Sequence, residues 1–176
     1  MTKKRLSIAL VAATAFLLLG VGAFALPIAG ALICPLCYGL DPSGAETFVE
    51  HGMTASERAH VGEVLAEARS RVRAFYGNLD AKPRILVCST DRCDHHLGGG
   101  GARGSSFIDV ALRLSPRGID PVIASHELSH IELHHRLGLL HFLARAVPAW
   151  FDEVSPSSYR TIRATSRRLP AQIGAW

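Results

Sequence analysis

The chain has 176 residues, 48% of them hydrophobic, and a formal net charge of +4, which is length for one ordinary domain with appendages. The positive balance sits at the ends: Lys3, Lys4 and Arg5 on one side and Arg160, Arg163, Arg167 and Arg168 on the other, whereas residues 41–153 hold 12 Lys or Arg against 15 Asp or Glu, a net of −3. With no basic face interleaved with aromatics, nucleic acid is excluded as an expected partner.

Residues 6–33 carry no charged side chain and follow the cluster Lys3, Lys4, Arg5. Two readings compete. A cleaved signal peptide has this basic start, this apolar run and a small-x-small site such as Ala23-Phe24-Ala25. An uncleaved anchor explains why the run continues past that site to Ile33, a length sufficient to span a bilayer with some tilt. The overshoot favours the anchor. The expected location is therefore the cell membrane, single-pass, with the domain on the extracytoplasmic side. The alternative is a secreted or periplasmic protein after cleavage. The cysteines form two close pairs, Cys34 with Cys37 and Cys88 with Cys93, and an even count after an export signal favours disulfides. Cys34-Pro35-Leu36-Cys37 has redox spacing, but it follows an apolar segment rather than a strand, so a structural disulfide is the preferred reading.

Residues 42–53 look irregular. Residues 54–76 are predicted helical: Val61, Val64, Leu65, Ala68, Val72 and Phe75 recur at helical spacing, Thr54 with Glu57 forms a capping-box pattern, and Gly77-Asn78 ends the run. His60, among polar neighbours, reads as a solvated histidine. Residues 83–89 read as a strand around Ile85, Leu86 and Val87. Residues 91–104, rich in Gly, Asp and His, read as a surface loop. It lacks the Lys-Ser/Thr of a phosphate loop, and His95-His96 is read as surface rather than metal ligand. Residues 105–114 read as a second strand, carrying Phe107, Val110, Leu112 and Leu114. After a turn, Asp120 and Pro121 cap and open a helix reaching about Leu137, where Gly138 interrupts it. Residues 139–147 look helical again, and Pro148 opens a further turn with Trp150, Asp152 and Glu153. The fold class expected is α+β.

The helix from Pro121 carries His126-Glu127-Leu128-Ser129-His130. Residues four apart share a helix face about 6 Å apart along the axis, so His126 and His130 can hold one metal ion. Glu127 projects beside that ion, where a general base takes a proton from metal-bound water. Imidazole ligands and hydrolytic chemistry both suit Zn2+. His134 lies two turns beyond His126, too far for one ion to reach both. His134, His135 and Arg136 read as a solvated face. Glu153, 23 residues after His130 on the next helical segment, is the better third ligand.

His126 to His130 followed by Pro148-Ala149-Trp150-Phe151-Asp152-Glu153 resembles the gluzincin zinc metallopeptidases, and more narrowly the small bacterial relatives of the membrane-aminopeptidase-like branch. In that group a Trp-x-x-Glu segment supplies the third ligand. The resemblance implies that His126, His130 and Glu153 bind zinc, that Glu127 is the catalytic base, and that a peptide or protein substrate adds beside the strand near residues 107–114. It also implies a small zincin-like domain: a helix, short antiparallel strands, the active-site helix and a second ligand helix. The organisation expected is a signal or anchor over residues 1–40, the metallopeptidase domain over 41–153 and an irregular basic tail over 154–176. The tail departs from the group: Pro156 breaks the helix just past Glu153, and Ser157 replaces the Asp of thermolysin-like members. The C-terminal part therefore looks truncated or frame-shifted, which would leave an inactive zincin-like domain. Two further readings compete with a peptidase: a non-catalytic interaction domain, and a CxxC thiol-redox protein at the membrane surface.

Overall fold

The computed structural model describes residues Pro27–Gly138. They form a mixed α and β fold of four helices and five strands. In chain order these are α1 (Pro27–Ile33), β1 (Leu40–Pro42), β2 (Thr47–Glu50), α2 (Ala55–Tyr76), β3 (Arg84–Val87), α3 (Asp91–His96), β4 (Gly104–Phe107), β5 (Ala111–Leu114) and α4 (Pro121–Leu137), with short 3-10 turns at Pro35–Tyr38 and Pro116–Gly118. Among the described residues, no helix is long and apolar enough to cross a membrane.

The sheet runs in the order β1-β2-β3-β5-β4. The resemblance implies short antiparallel strands, but the three central strands, β2, β3 and β5, are parallel, and only the outer strands β1 and β4 run antiparallel to their neighbours. The reason is connectivity. The α2 crossover returns the chain to the end of the sheet at which it began, so β3 can pair with β2 only in parallel. Residues 105–114 are likewise not one strand. Ile108, with φ at 52°, turns the chain between β4 and β5, so the outer strand is Gly104–Phe107 and Ala111–Leu114 lies inside the sheet.

Strand alternation sorts side chains to two faces. On one face Val49, Ile85, Val87, Leu112 and Leu114 pack with Val61, Val64, Leu65, Ala68 and Val72 of α2 and with Ala124, Leu128 and Ile131 of α4. Each such fully buried aliphatic side chain contributes about 1.5–3 kcal/mol. On the other face Leu86, Cys88 and Leu40 meet Ala31 of α1, Cys93 of α3 and Leu97, with Ile28, Leu32 and Phe48 packed around them. Disulfides join Cys34 to Cys37 and Cys88 to Cys93 on this second side. The last seven residues of the apolar N-terminal run, Pro27–Ile33, thus form α1 and pack against the sheet. The earlier part of that run lies outside the described residues.

Local chemistry sets the helix ends. Thr54 Oγ1 accepts from the Glu57 amide and Glu57 accepts in return from the Thr54 amide, closing the capping box of α2. That contact holds the Glu57 carboxyl below its ordinary range. Residues 91–96, expected as loop, form α3 because Thr90 caps the turn through the Cys93 amide and Glu50 holds Thr90 in place. Residues 42–53, expected as irregular, contain β2, which is paired on both sides.

Candidate metal centre

Helix α4 begins where Asp120 Oδ1 accepts from the amides of Val122 (2.7 Å) and Ile123 (3.2 Å), with Pro121 in the first turn. Burial of Ala124, Leu128 and Ile131 against α2 and the sheet fixes the rotation of the helix. This rotation leaves His126, Glu127 and His130 on the flank facing β4 and β5, both of which α4 touches. Ser125 and Ser129, buried in the same turns, donate to carbonyls of their own helix at Val122 and Ser125. The Tyr76 hydroxyl at the end of α2 donates to the Ser129 carbonyl at 3.2 Å, a further tie between the helices.

Nε2 of His126 and Nε2 of His130 converge to 3.0 Å, with the ring planes at 87°. A tetrahedral zinc ion with Zn–N of about 2.0–2.1 Å holds two imidazole nitrogens about 3.3 Å apart. The donor type and spacing of this pair therefore fit such an ion to within a few tenths of an ångström. Glu127 is buried at 9% exposure beside them, against the first residue of β4. Among the described residues no group of three or more His, Cys, Asp or Glu is placed to hold a metal. Glu153 and Trp150 lie outside the described residues, so the structure brings together His126, His130 and Glu127 only.

The remaining histidine and cysteine candidates have different partners. His95 Nδ1 lies 3.0 Å from the Gly99 carbonyl, and the His96 ring stacks on Tyr38 at 5.2 Å. Cys88 and Cys93 are disulfide-bonded and offer no thiolate. His60 is exposed on α2.

The end of α4 is solvated as expected, with His135 and Arg136 exposed and His134 half-buried, and its side chains also reach neighbouring groups. His134 Nδ1 lies 3.3 Å from the Ile108 carbonyl, and His135 Nδ1 lies 3.1 Å from Asp109, so two histidines hold the β4–β5 turn. Arg136 pairs with Glu132 and lies over the Tyr76 ring. Glu132 is fully buried, and its carboxylate accepts from the amides of Asp80 and Ala81, each at 3.0 Å. Behind the strands Arg113 pairs with Asp94 and donates to Ser105 Oγ at 2.9 Å, both charges being almost fully buried. Sequence reasoning passed over Glu132, Arg113 and Gly104. A charge at position 113, between the apolar residues Leu112 and Leu114, was the one signal for the second.

Comparison with protein-family models, with curated proteins and with solved structures finds no match.

Proposed function

We propose that the protein is a zinc-dependent peptidase of gluzincin type, acting outside the cytoplasmic membrane. The observation that carries the reading is the convergence of His126 and His130 at 3.0 Å beside a buried carboxylate, Glu127, under the outer strand of a sheet. His126 and His130 would hold the ion, with Glu153 as the third ligand that the resemblance implies. Zinc, when bound, supplies Lewis acidity that favours hydroxide formation from water and polarises a carbonyl.

The chain's own groups do the rest. Glu127 accepts the proton of the attacking water, a task for which a carboxylate within hydrogen-bond reach is suited. Its burial keeps bulk water from competing for that proton. Among the described residues, β4 is the last strand at its end of the sheet. An extended peptide can pair with its outer edge, which would align a scissile bond along α4. The location outside the membrane is supported by the two disulfides, a feature of oxidising compartments. Residues 6–26 would lead the chain there as signal or anchor, and their 21 residues still meet the roughly 20 that a span needs.

Metal analysis and peptide hydrolysis by the purified full chain test the reading. Wild type is expected to hold one zinc, and His130→Ala and Glu153→Ala to lose it. Glu127→Ala is expected to keep zinc while turnover falls by about 10²–10⁴-fold. Zinc retained without turnover in the wild type would make this a binding domain. No zinc at all would overturn the proposal.

A further inference from the structure

We infer that Gly104 is a positioning residue for Glu127: the missing side chain at the start of β4 is the space that the base's side chain occupies. The inference rests on the peptidase reading for its functional meaning, but the contact itself does not. Gly104 pairs with Leu114 across the β4–β5 ladder. Paired residues on neighbouring strands share a face of the sheet, and Leu114 is on the α4 side. Gly104 therefore presents its bare Cα to α4. A Cβ there would stand 2.7 Å from Glu127 Cγ, 3.0 Å from Oε1 and 3.1 Å from Cδ. Carbon atoms at rest stay about 3.5–4.0 Å apart, so a single methyl group forces one partner to move.

The surroundings decide which partner moves. The start of β4 is held from several directions. The Arg103 carbonyl accepts from both the amide and the hydroxyl of Ser115, each at 2.9 Å. Ser105 Oγ accepts from Arg113, which is itself locked to buried Asp94. Gly118 packs its Cα directly against the Arg103 carbonyl, closing the space behind. The strand cannot retreat without breaking these bonds. The added methyl group would meet side-chain atoms of Glu127, which move by torsion rather than by backbone shift, so the base is what yields. Gly104 also lies outside the left-handed region, so alanine fits its backbone without strain. Gly100, in the same glycine-rich stretch, has nothing within 4 Å of the point a methyl group would occupy and is a built-in control.

Gly104→Ala, Gly100→Ala and Glu127→Gln in the full chain test the inference. In Gly104→Ala, zinc content and KM are expected to stay within twofold of wild type while kcat falls about 10- to 100-fold, part of the range a general base contributes. Gly100→Ala is expected to match wild type. In metal-free protein with 13C-labelled glutamate carboxyls, the resonance that Glu127→Gln removes is expected to shift in Gly104→Ala and not in Gly100→Ala. An unmoved resonance overturns the inference whatever the activity. A shifted resonance in a protein that hydrolyses no peptide upholds the contact and removes only the peptidase reading. If Gly104→Ala lowers stability, that loss is expected to vanish in a Glu127→Ala background, and simple additivity would overturn the contact.

Discussion

The two faces of the sheet are stabilised by different means. The α2–α4 face is held by two long helices, an extended aliphatic core and the fully buried carboxylate of Glu132, which ties α4 to the chain entering β3. The α1–α3 face has helices of seven and six residues, a smaller core and two disulfides. Covalent staples stand where helices are too short to bury enough surface. The candidate metal centre lies on the first face. The difference suggests that one face shapes the site and the other keeps the sheet closed behind it, a division that can be broken from either side.

The largest effect is expected from Glu132→Ala on the site-bearing face. It leaves the amides of Asp80 and Ala81 and the Arg136 guanidinium without their shared acceptor. The exposed guanidinium keeps Asn78 as a partner, so the loss falls on the two amides, and each buried donor left without an acceptor costs about 1–3 kcal/mol. Denaturant unfolding should show it as a lowered midpoint, together with weaker zinc retention because α4 loses its anchor. Loss of stability below about 1 kcal/mol would deny the carboxylate this role. Replacing both Cys88 and Cys93 by serine should have a smaller effect. Closing so short a loop is worth about 2 kcal/mol in the chain-entropy view. The zinc content should stay unchanged, and a loss of zinc would break the division of labour between the faces.

Much of the first face was legible in the sequence, and much of the second was not. The two long helices announce themselves by apolar spacing and by caps at Thr54 and Asp120, because those signals are local. The histidines and Glu127 were legible for the same reason: a four-residue spacing on a helix is a statement about one face. The short β2 and α3 could not be read this way. Thr47–Glu50 is stabilised by neighbours on both sides, and Asp91–His96 by a cap that Glu50 holds from about 40 residues away. Non-local partners leave no periodic trace. The apolar run to Ile33 shows the same limit from the other side. Its last two turns pack against Leu40, Leu86 and Leu97, and apolar composition alone does not separate a helix packed on a sheet from a membrane segment. Gly104 carried no signal that distinguished it from the glycines around it, since its meaning depends on Glu127, which is 23 residues further on.

The smallest expected effect is on pH dependence, and it also belongs to the stapled face. Glu50 shares the Leu40 side of the sheet and accepts four hydrogen bonds, from the amides and hydroxyls of Ser89 and Thr90. Burial pushes its carboxyl up, but these donors outweigh burial and hold it below the ordinary value of 4.5. A carboxyl depressed on folding binds fewer protons in the native state than in the unfolded chain. Its stabilisation is therefore complete above the unfolded value and disappears as pH falls from about 4.5 through the lowered folded value. Unfolding midpoints of wild type and Glu50→Gln between about pH 6 and pH 3 should differ most at the upper end and converge at the lower. With Thr90 released, α3 loses its cap, so hydrogen exchange in Asp91–His96 should quicken in acid before exchange in α4 does. A gap between the two midpoints that stays constant with pH would mean that Glu50 acts by shape alone and that acid does not choose between the faces.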